Sequence, residues 1–218
     1  MNLTVIILTS EKKDGKFCFF DEMKKIIEHS KVVIEEGDVL VISSKFISNS
    51  QGRILKIEKS KVCEKARKIA RKFNTSEKFM EIVFRESDKI LGGVVGFAMA
   101  STNGILAPNA GIDKSNSIGT KIILYPNEPY KFAEELKRKI FLEMNLHVGI
   151  IIVDSRLMPA RIGTTGVAIA CAGIEPTKDL RGEKDLDGNP LRVTFQATAD
   201  NLASIANHKM GEGDDLHP

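Results

Sequence analysis

Three stretches of this 218-residue chain put oxygen-bearing side chains beside backbone that can bend around a ligand. The first is Asn109-Ala-Gly-Ile-Asp113-Lys-Ser-Asn116, where amides and a carboxylate flank a flexible Gly. It reads either as an Asx-rich turn or as a polar ligand loop. In the second, the apolar run Val148 to Val153 ends in Asp154-Ser155-Arg156, so an acid, a hydroxyl and a guanidinium emerge where a buried strand meets its loop. Carboxylate and hydroxyl oxygens suit Mg²⁺ or Mn²⁺, and a guanidinium suits phosphate; a capped loop is the plainer alternative. The third, Met210-Gly-Glu-Gly-Asp-Asp215, closes a helix with acids between glycines. Its amides can approach a phosphate while Glu212 offers oxygen to a metal, or it is an acidic fray. None of the three contains His or Cys. Together they fit one composite site for a divalent cation and a nucleotide, provided that folding brings them together.

Other sequence signals are weaker. No GxxxxGK[ST] and no GxGxxG after a strand occurs, which removes the P-loop and Rossmann phosphate sites. Gly92, Gly93 and Gly96 suit a tight turn entering a strand. Asp185-Leu-Asp187-Gly-Asn189 has its Gly too early for a calcium loop and Gln196 at the closing position, so it reads as an Asp-Gly hairpin turn. The His residues are scattered, without a nucleophile partner.

The elements that must hold these stretches follow from apolar periodicity. Strands are expected at Leu3 to Leu8, Val39 to Ile42, Val94 to Met99, Ile122 to Leu124, Val148 to Val153, Val167 to Ala170 and Leu191 to Phe195. Helical spacing predicts Asp21 to Glu28, Ser60 to Phe73 and Ser76 to Phe84, with Ser60 and Ser76 as N-caps. A further helix begins at Pro129 and runs to Met144, with Phe132, Leu136, Ile140 and Phe141 as its apolar stripe, and another spans Thr198 to Met210. Strands and helices mix without strict alternation, which favours an α+β fold over a doubly wound sheet. There is no internal repeat and no low-complexity linker.

Bulk composition narrows the function classes. A net charge of +3, with lysines interspersed with glutamates, suits solvated helix faces better than a nucleic-acid footprint. With no Trp and only 2 Tyr, stacking platforms for single strands are scarce. Cys18, Cys63 and Cys171 are far apart and lack ligand spacing, so zinc and a disulfide framework are not expected and a reducing cytoplasm is. No apolar run approaches the ~20 residues of a membrane span.

Six segments in register carry a resemblance: Gly37-Asp-Val-Leu-Val-Ile-Ser-Ser44, Gly52-Arg53, the Asn109 to Asn116 run, Asp154-Ser155, Asp179-Leu-Arg-Gly182 and Met210-Gly-Glu-Gly213. In this order they resemble the coenzyme F-420-0:L-glutamate ligase family, from about residue 35 onward. The resemblance implies a two-lobed, butterfly-like α+β subunit with mixed sheets and flanking helices, paired as a homodimer. It implies GTP as co-substrate, Mg²⁺ or Mn²⁺ with K⁺ as a further candidate, and coenzyme F-420-0 and L-glutamate as substrates.

Carried over by position, the resemblance makes Asp113 and Asp154 ligands of one divalent cation and Ser155 and Glu212 ligands of a second. Ser44, Lys45, Asn116, Met210, Gly211, Gly213 and Asp214 become GTP contacts. Arg156 and Arg161 stand beside them as catalytic candidates for contacts to phosphate or a substrate anion. The chain departs from the family pattern in several places. Ser155 stands where Thr is usual, and Asn49-Ser-Gln-Gly-Arg53 stands where the family has Lys-Ala-Glu-Gly-Arg. The family's N-terminal turn is not recognisable around Ser10 to Gly15, and Leu157-Met-Pro-Ala160 replaces a Gly-Arg-rich stretch. The sequence also stops at Pro218, where relatives are expected to continue through another strand. Two other functions stay open at this point: a paralogous ligase for a different carboxylate, and a non-catalytic nucleotide- or metal-binding dimer.

Overall fold

The structure is a computed structural model that describes residues 3–11, 13, 15–57, 61–113, 121–158 and 161–212. Its centre is a small sheet in the order β1 (Val39–Ser43), β7 (Gly149–Leu157), β8 (Thr164–Ala172). β1 runs parallel to β7, and β7 pairs antiparallel with β8. The unbroken apolar run of β7 has a simple cause: both of its faces are covered. Ile150 and Ile152 face a cluster formed with α1 (Phe19–Ser30), α2 (Ser44–Gln51) and α5 (Pro129–Met144). Ile151 and Val153 face the opposite way, against Ala199 and Ala203 of α6 (Thr198–Met210). Ile150, Ile151 and Ile152 are fully buried, each worth about 1.5–3 kcal/mol relative to exposure.

A second hydrophobic cluster joins α3 (Glu64–Lys72) and α4 (Glu77–Glu86) to a meander of β3 (Lys89–Val94), β4 (Phe97–Thr102) and β5 (Ile105–Pro108). It includes Ile122, within the short antiparallel pair of β2 (Ile54–Lys56) with β6 (Lys121–Ile123), and Leu124 just after it. The remaining strands, β9 (Lys178–Asp179) and β10 (Phe195–Gln196), form a small exposed ribbon. The α+β class, with several small sheets and flanking helices, is as expected; the central sheet is mixed and the others are antiparallel.

Local sequence explains most element boundaries. Pro129 opens α5, where its fixed φ suits the first turn and its missing N–H costs nothing. Asn145 closes it in the left-handed region at φ 54°. Leu136 and Ile140 are buried as the stripe predicts, Phe132 is half-buried against the first cluster, and Ala133, outside that stripe, is buried too; Phe141 turns outward and stacks on the His147 ring at 4.6 Å. Ser76 caps α4 by accepting from the Phe79 amide at 3.4 Å. For α3 the cap is Cys63, whose Sγ accepts from Ala66 N; the expected cap Ser60 lies outside the described residues.

The expected strand at Leu3 to Leu8 does not form, and Leu8 packs at the edge of the first cluster instead. The expected strand Val94 to Met99 is a hairpin junction, with Gly96 turning between β3 and β4 at φ 85°. The run Leu191 to Phe195 contributes only its last residue to β10. The Asp-Gly turn is as read: Asp185 Oδ1 accepts from the Asp187 and Asn189 amides at 3.0 and 2.8 Å.

Candidate functional site

β1 ends at Ser43, opposite Val153, while β7 continues through Leu157. The crevice beyond the carboxyl end of β1 therefore lies beside a strand that keeps its β8 partner but has lost its β1 partner. A cavity of about 450 Å³ occupies this place, bounded by both hydrophobic clusters. Ser44, Lys45, Asp113, Asp154, Ser155, Arg156, Met210, Gly211 and Glu212 all line it. Three stretches distant in sequence meet there, as the composite-site reading requires.

Strand periodicity divides these side chains. Asp154 and Arg156 fall on the face of Ile150 and Ile152, whereas Ser155 falls on the α6 face with Ile151 and Val153. Asp154-Ser155-Arg156 is thus part of β7 and not of the loop after it, and the strand pairing fixes the directions of the three side chains.

On the first face, Ser44 Oγ donates to Asp154 Oδ1 at 3.0 Å and the Tyr125 hydroxyl donates to Asp154 Oδ2 at 2.9 Å. Arg156 Nη2 donates to the Tyr125 oxygen at 2.7 Å and lies 3.6 Å from Asp154 Oδ2, while its Nη1 donates to the Leu106 carbonyl at 2.6 Å. Its Nε is buried without a hydrogen-bond partner among the described residues. Burial pushes the Asp154 carboxyl above the usual carboxylate range, against the opposing pull of Arg156, Tyr125 and Ser44. Burial likewise raises the Tyr125 phenol, with Asp154 adding to the effect, so the phenol keeps its proton.

On the α6 face, Glu212 Oε1 accepts from Ser155 Oγ at 2.6 Å, Thr164 Oγ1 at 2.8 Å and Asn207 Nδ2 at 2.8 Å. Burial alone would raise this carboxyl, but those three donors together with the Lys45 charge hold it below the usual range. α6 can bring Asn207 and Glu212 so close because β8 presents Gly166 to it: a Cβ there would lie 2.5 Å from the Ala203 carbonyl oxygen.

Asp113 enters from the second cluster. It exchanges backbone hydrogen bonds with Ile123 and receives Lys45 Nζ on Oδ2 at 2.6 Å. The turn before it, Asn109–Gly111, is pinned by Asn109, whose side-chain oxygen accepts from the Ala98 amide at 2.9 Å. Asn109 therefore serves the loop's shape as an Asx turn does, and Asp113 supplies its charge to the cavity.

Arg161 is exposed and outside the cavity lining, in contrast to Arg156. Asn116, Gly213 and Asp214 lie outside the described residues. Sequence reasoning missed Tyr125, Thr164 and Asn207. Tyr125 is a lone aromatic after a short strand, and nothing in its spacing marks it. Asn207, one turn before Met210 on α6, shares a helix face with the acid loop, and that offset was a usable signal. The Asn49 to Arg53 run also has a visible task. Gln51 exchanges two hydrogen bonds with Asn127, and Arg53 Nε donates to the Tyr125 carbonyl at 3.0 Å. Asn49 Oδ1 is buried without a partner among the described residues.

The donor set fits a hard divalent cation: carboxylates from Asp113, Asp154 and Glu212, and hydroxyls from Ser44, Ser155 and Thr164. Among the described residues no group of three His, Cys, Asp or Glu is placed to hold a metal by itself. Mg²⁺ is ordinarily bound by one or two carboxylates and completed by phosphate oxygens and water. No described helix is long and apolar enough to cross a membrane.

This site and fold fall within a family of ligases. The family is F420-0:Gamma-glutamyl ligase, whose model matches residues 15–218, and the chain belongs to it. Three curated relatives agree, each named Coenzyme F420:L-glutamate ligase. The protein from Archaeoglobus fulgidus is 37% identical over 91% of this chain and 79% of its own length. That from Methanopyrus kandleri is 32% identical over 91% and 79%, and that from Methanocaldococcus jannaschii is 36% identical over 85% and 74%.

Proposed function

We propose that this chain is a GTP-dependent amide ligase that joins L-glutamate to coenzyme F-420-0 through an acyl phosphate. A carboxylate oxygen of F-420-0 attacks the γ-phosphorus of GTP and GDP leaves. The amino group of glutamate then attacks the acyl carbon, loses a proton, and inorganic phosphate departs as the amide forms. Asp113, Asp154, Ser155 and Glu212 would hold Mg²⁺ or Mn²⁺, and bound divalent cations would neutralise the repulsion between triphosphate and carboxylate while aligning them. Lys45 and Ser44 border the same space and suit the phosphates. The observation that carries this reading is the meeting of Asp113, Asp154 and Glu212 on one cavity, within a chain of this family. A homodimer and a cytoplasmic location belong to the same reading; light scattering tests the first.

The test is turnover. Purified protein with F-420-0, L-glutamate, GTP, Mg²⁺ and Mn²⁺ should release phosphate and yield a glutamylated product by mass spectrometry, with K⁺ and ATP varied in parallel. Phosphate release only with another carboxylate acceptor would move the assignment to a paralogous ligase. GTP or metal binding without turnover on any acceptor would reduce the chain to a binding protein. Unchanged Mn²⁺ binding by Asp154→Asn would remove the metal assignment.

A further inference from the structure

Tyr125 is the best-connected polar side chain of the cavity that the proposed chemistry leaves without a task. The residue is 3% exposed. Its hydroxyl both donates to Asp154 Oδ2 at 2.9 Å and accepts from Arg156 Nη2 at 2.7 Å. Arg156 is itself held at its other end by the Leu106 carbonyl, and the Tyr125 carbonyl by Arg53. Asp154 Oδ2 therefore faces a neutral donor backed by a cation, with Arg156 anchored to β5 and Tyr125 to the segment before β2.

The ring position is equally determined. A Cβ on Gly111 would come within 2.1 Å of the Tyr125 ring carbons, so the aromatic ring fills the space that a side chain at 111 would need. Gly111 also sits at φ 69°, in the region that favours glycine. It is two residues before Asp113, and the ring it supports holds Asp154. One buried aromatic thus touches the segments that carry two of the three cavity carboxylates.

The two oxygens of Asp154 are treated differently. Oδ2 takes the Tyr125 hydroxyl with Arg156 behind it, whereas Oδ1 takes only the Ser44 hydroxyl among the described residues. A carboxylate oxygen has two lone-pair directions, so Oδ1 keeps capacity for a further partner. Hydrogen bonds that orient a ligating carboxylate raise metal affinity without touching the metal.

We propose that Tyr125 is a positioning residue: its hydroxyl, backed by Arg156, clamps Asp154 Oδ2 so that Oδ1 is the oxygen presented to a divalent cation in the cavity. This rests on the reading of Asp154 as a metal-facing residue.

Tyr125→Phe tests it, because the ring and its packing on Gly111 stay while the hydroxyl goes. Mn²⁺ binding is measured by electron paramagnetic resonance with GTP present and acceptor absent, beside a thermal melt. The expected result is a cooperative melt and Mn²⁺ affinity weakened by about 10–100-fold, the usual effect of losing a group that orients a ligand. Turnover should recover as Mn²⁺ is raised, which a damaged fold would not do. Mn²⁺ affinity within about twofold of the parent would overturn the clamp, since loss of an orienting partner ordinarily costs tenfold or more. Loss of the cooperative melt would overturn it too, making the hydroxyl a structural requirement. Asp154→Asn separates this from the reading beneath it. If Asp154→Asn abolishes Mn²⁺ binding and Tyr125→Phe leaves it intact, only the clamp fails; if Asp154→Asn binds normally, the metal reading itself fails.

Discussion

Lys45 Nζ lies 2.6 Å from Asp113 Oδ2, and the Lys45 charge also helps to keep Glu212 ionised. One ammonium thus stands among carboxylates from two sequence-distant loops, where a divalent cation would find its oxygens. Lys45 lies in the first turn of α2, just after β1, and Asp113 follows the Asn109–Gly111 turn, so the pair also bridges the two hydrophobic clusters at the cavity.

On the proposed reading, that arrangement sets protein cation against metal cation. Lys45→Met should bind Mn²⁺ more tightly in the absence of nucleotide, by about 2–5-fold, the scale of a partly exposed ion pair. The same variant should bind GTP more weakly, because a charged donor beside the phosphates is lost. Titration of each ligand alone checks both directions; weaker Mn²⁺ binding without nucleotide would contradict the competition.

Glu212 is held below the ordinary carboxylate range, so the sign of its pH effect is fixed. Its ionised form contributes stability above the unfolded-state value, and the contribution is lost as pH falls through the lower folded-state value. Melting temperature against pH should therefore fall less steeply on the acid side for Glu212→Gln than for the parent. Turnover of Glu212→Gln should drop by at least about 100-fold if this carboxylate supports a metal, a loss of about 2.7 kcal/mol in transition-state stabilisation.

Gly111→Ala should be among the most costly small substitutions in the protein. It asks alanine to adopt φ 69° and forces a methyl carbon against the Tyr125 ring. Left-handed strain and overpacking together predict about 2–5 kcal/mol of lost stability, read from the urea midpoint.

Asp179 opens one of the segments that carry the resemblance, and its carboxylate is engaged within its own loop. Both of its oxygens receive the Arg181 guanidinium, the Arg181 amide adds a third donor, and Arg181 lies 4.6 Å over the Phe195 ring. These donors pull the Asp179 carboxyl down to about 2. A carbon-13 titration should find it there, and Arg181→Ala should return it towards the ordinary range near ~3.9. An ordinary value in the parent would show that the fork is not formed in solution.

Where the sequence was informative, the physics was local. Pro129 and the spacing of Phe132, Leu136 and Ile140 determine α5 without reference to the rest of the chain, and α6 likewise forms where it was expected. The continuous apolar run of β7 announces a strand buried on both faces. Leu3 to Leu8 shows the limit: its pattern suits a strand, but no neighbour completes a ladder with it among the described residues. α2 escaped periodicity because Ser44, Ser48 and Ser50 are buried polar residues in a short helix, which blurs its apolar face.

The sequence by itself determined which oxygen donors exist, Asp113, Asp154, Ser155 and Glu212, since donor chemistry is written in short windows. Only the tertiary structure decided their company. That Asp154 is held by Tyr125 and Ser44, that Lys45 meets Asp113, and that Glu212 gathers Ser155, Thr164 and Asn207 all depend on β1 ending where β7 continues and on α6 packing against Gly166. Apart from the Asn207–Glu212 contact, these join residues tens of positions apart, and their geometry comes from the packing of whole elements, which short-range spacing does not encode.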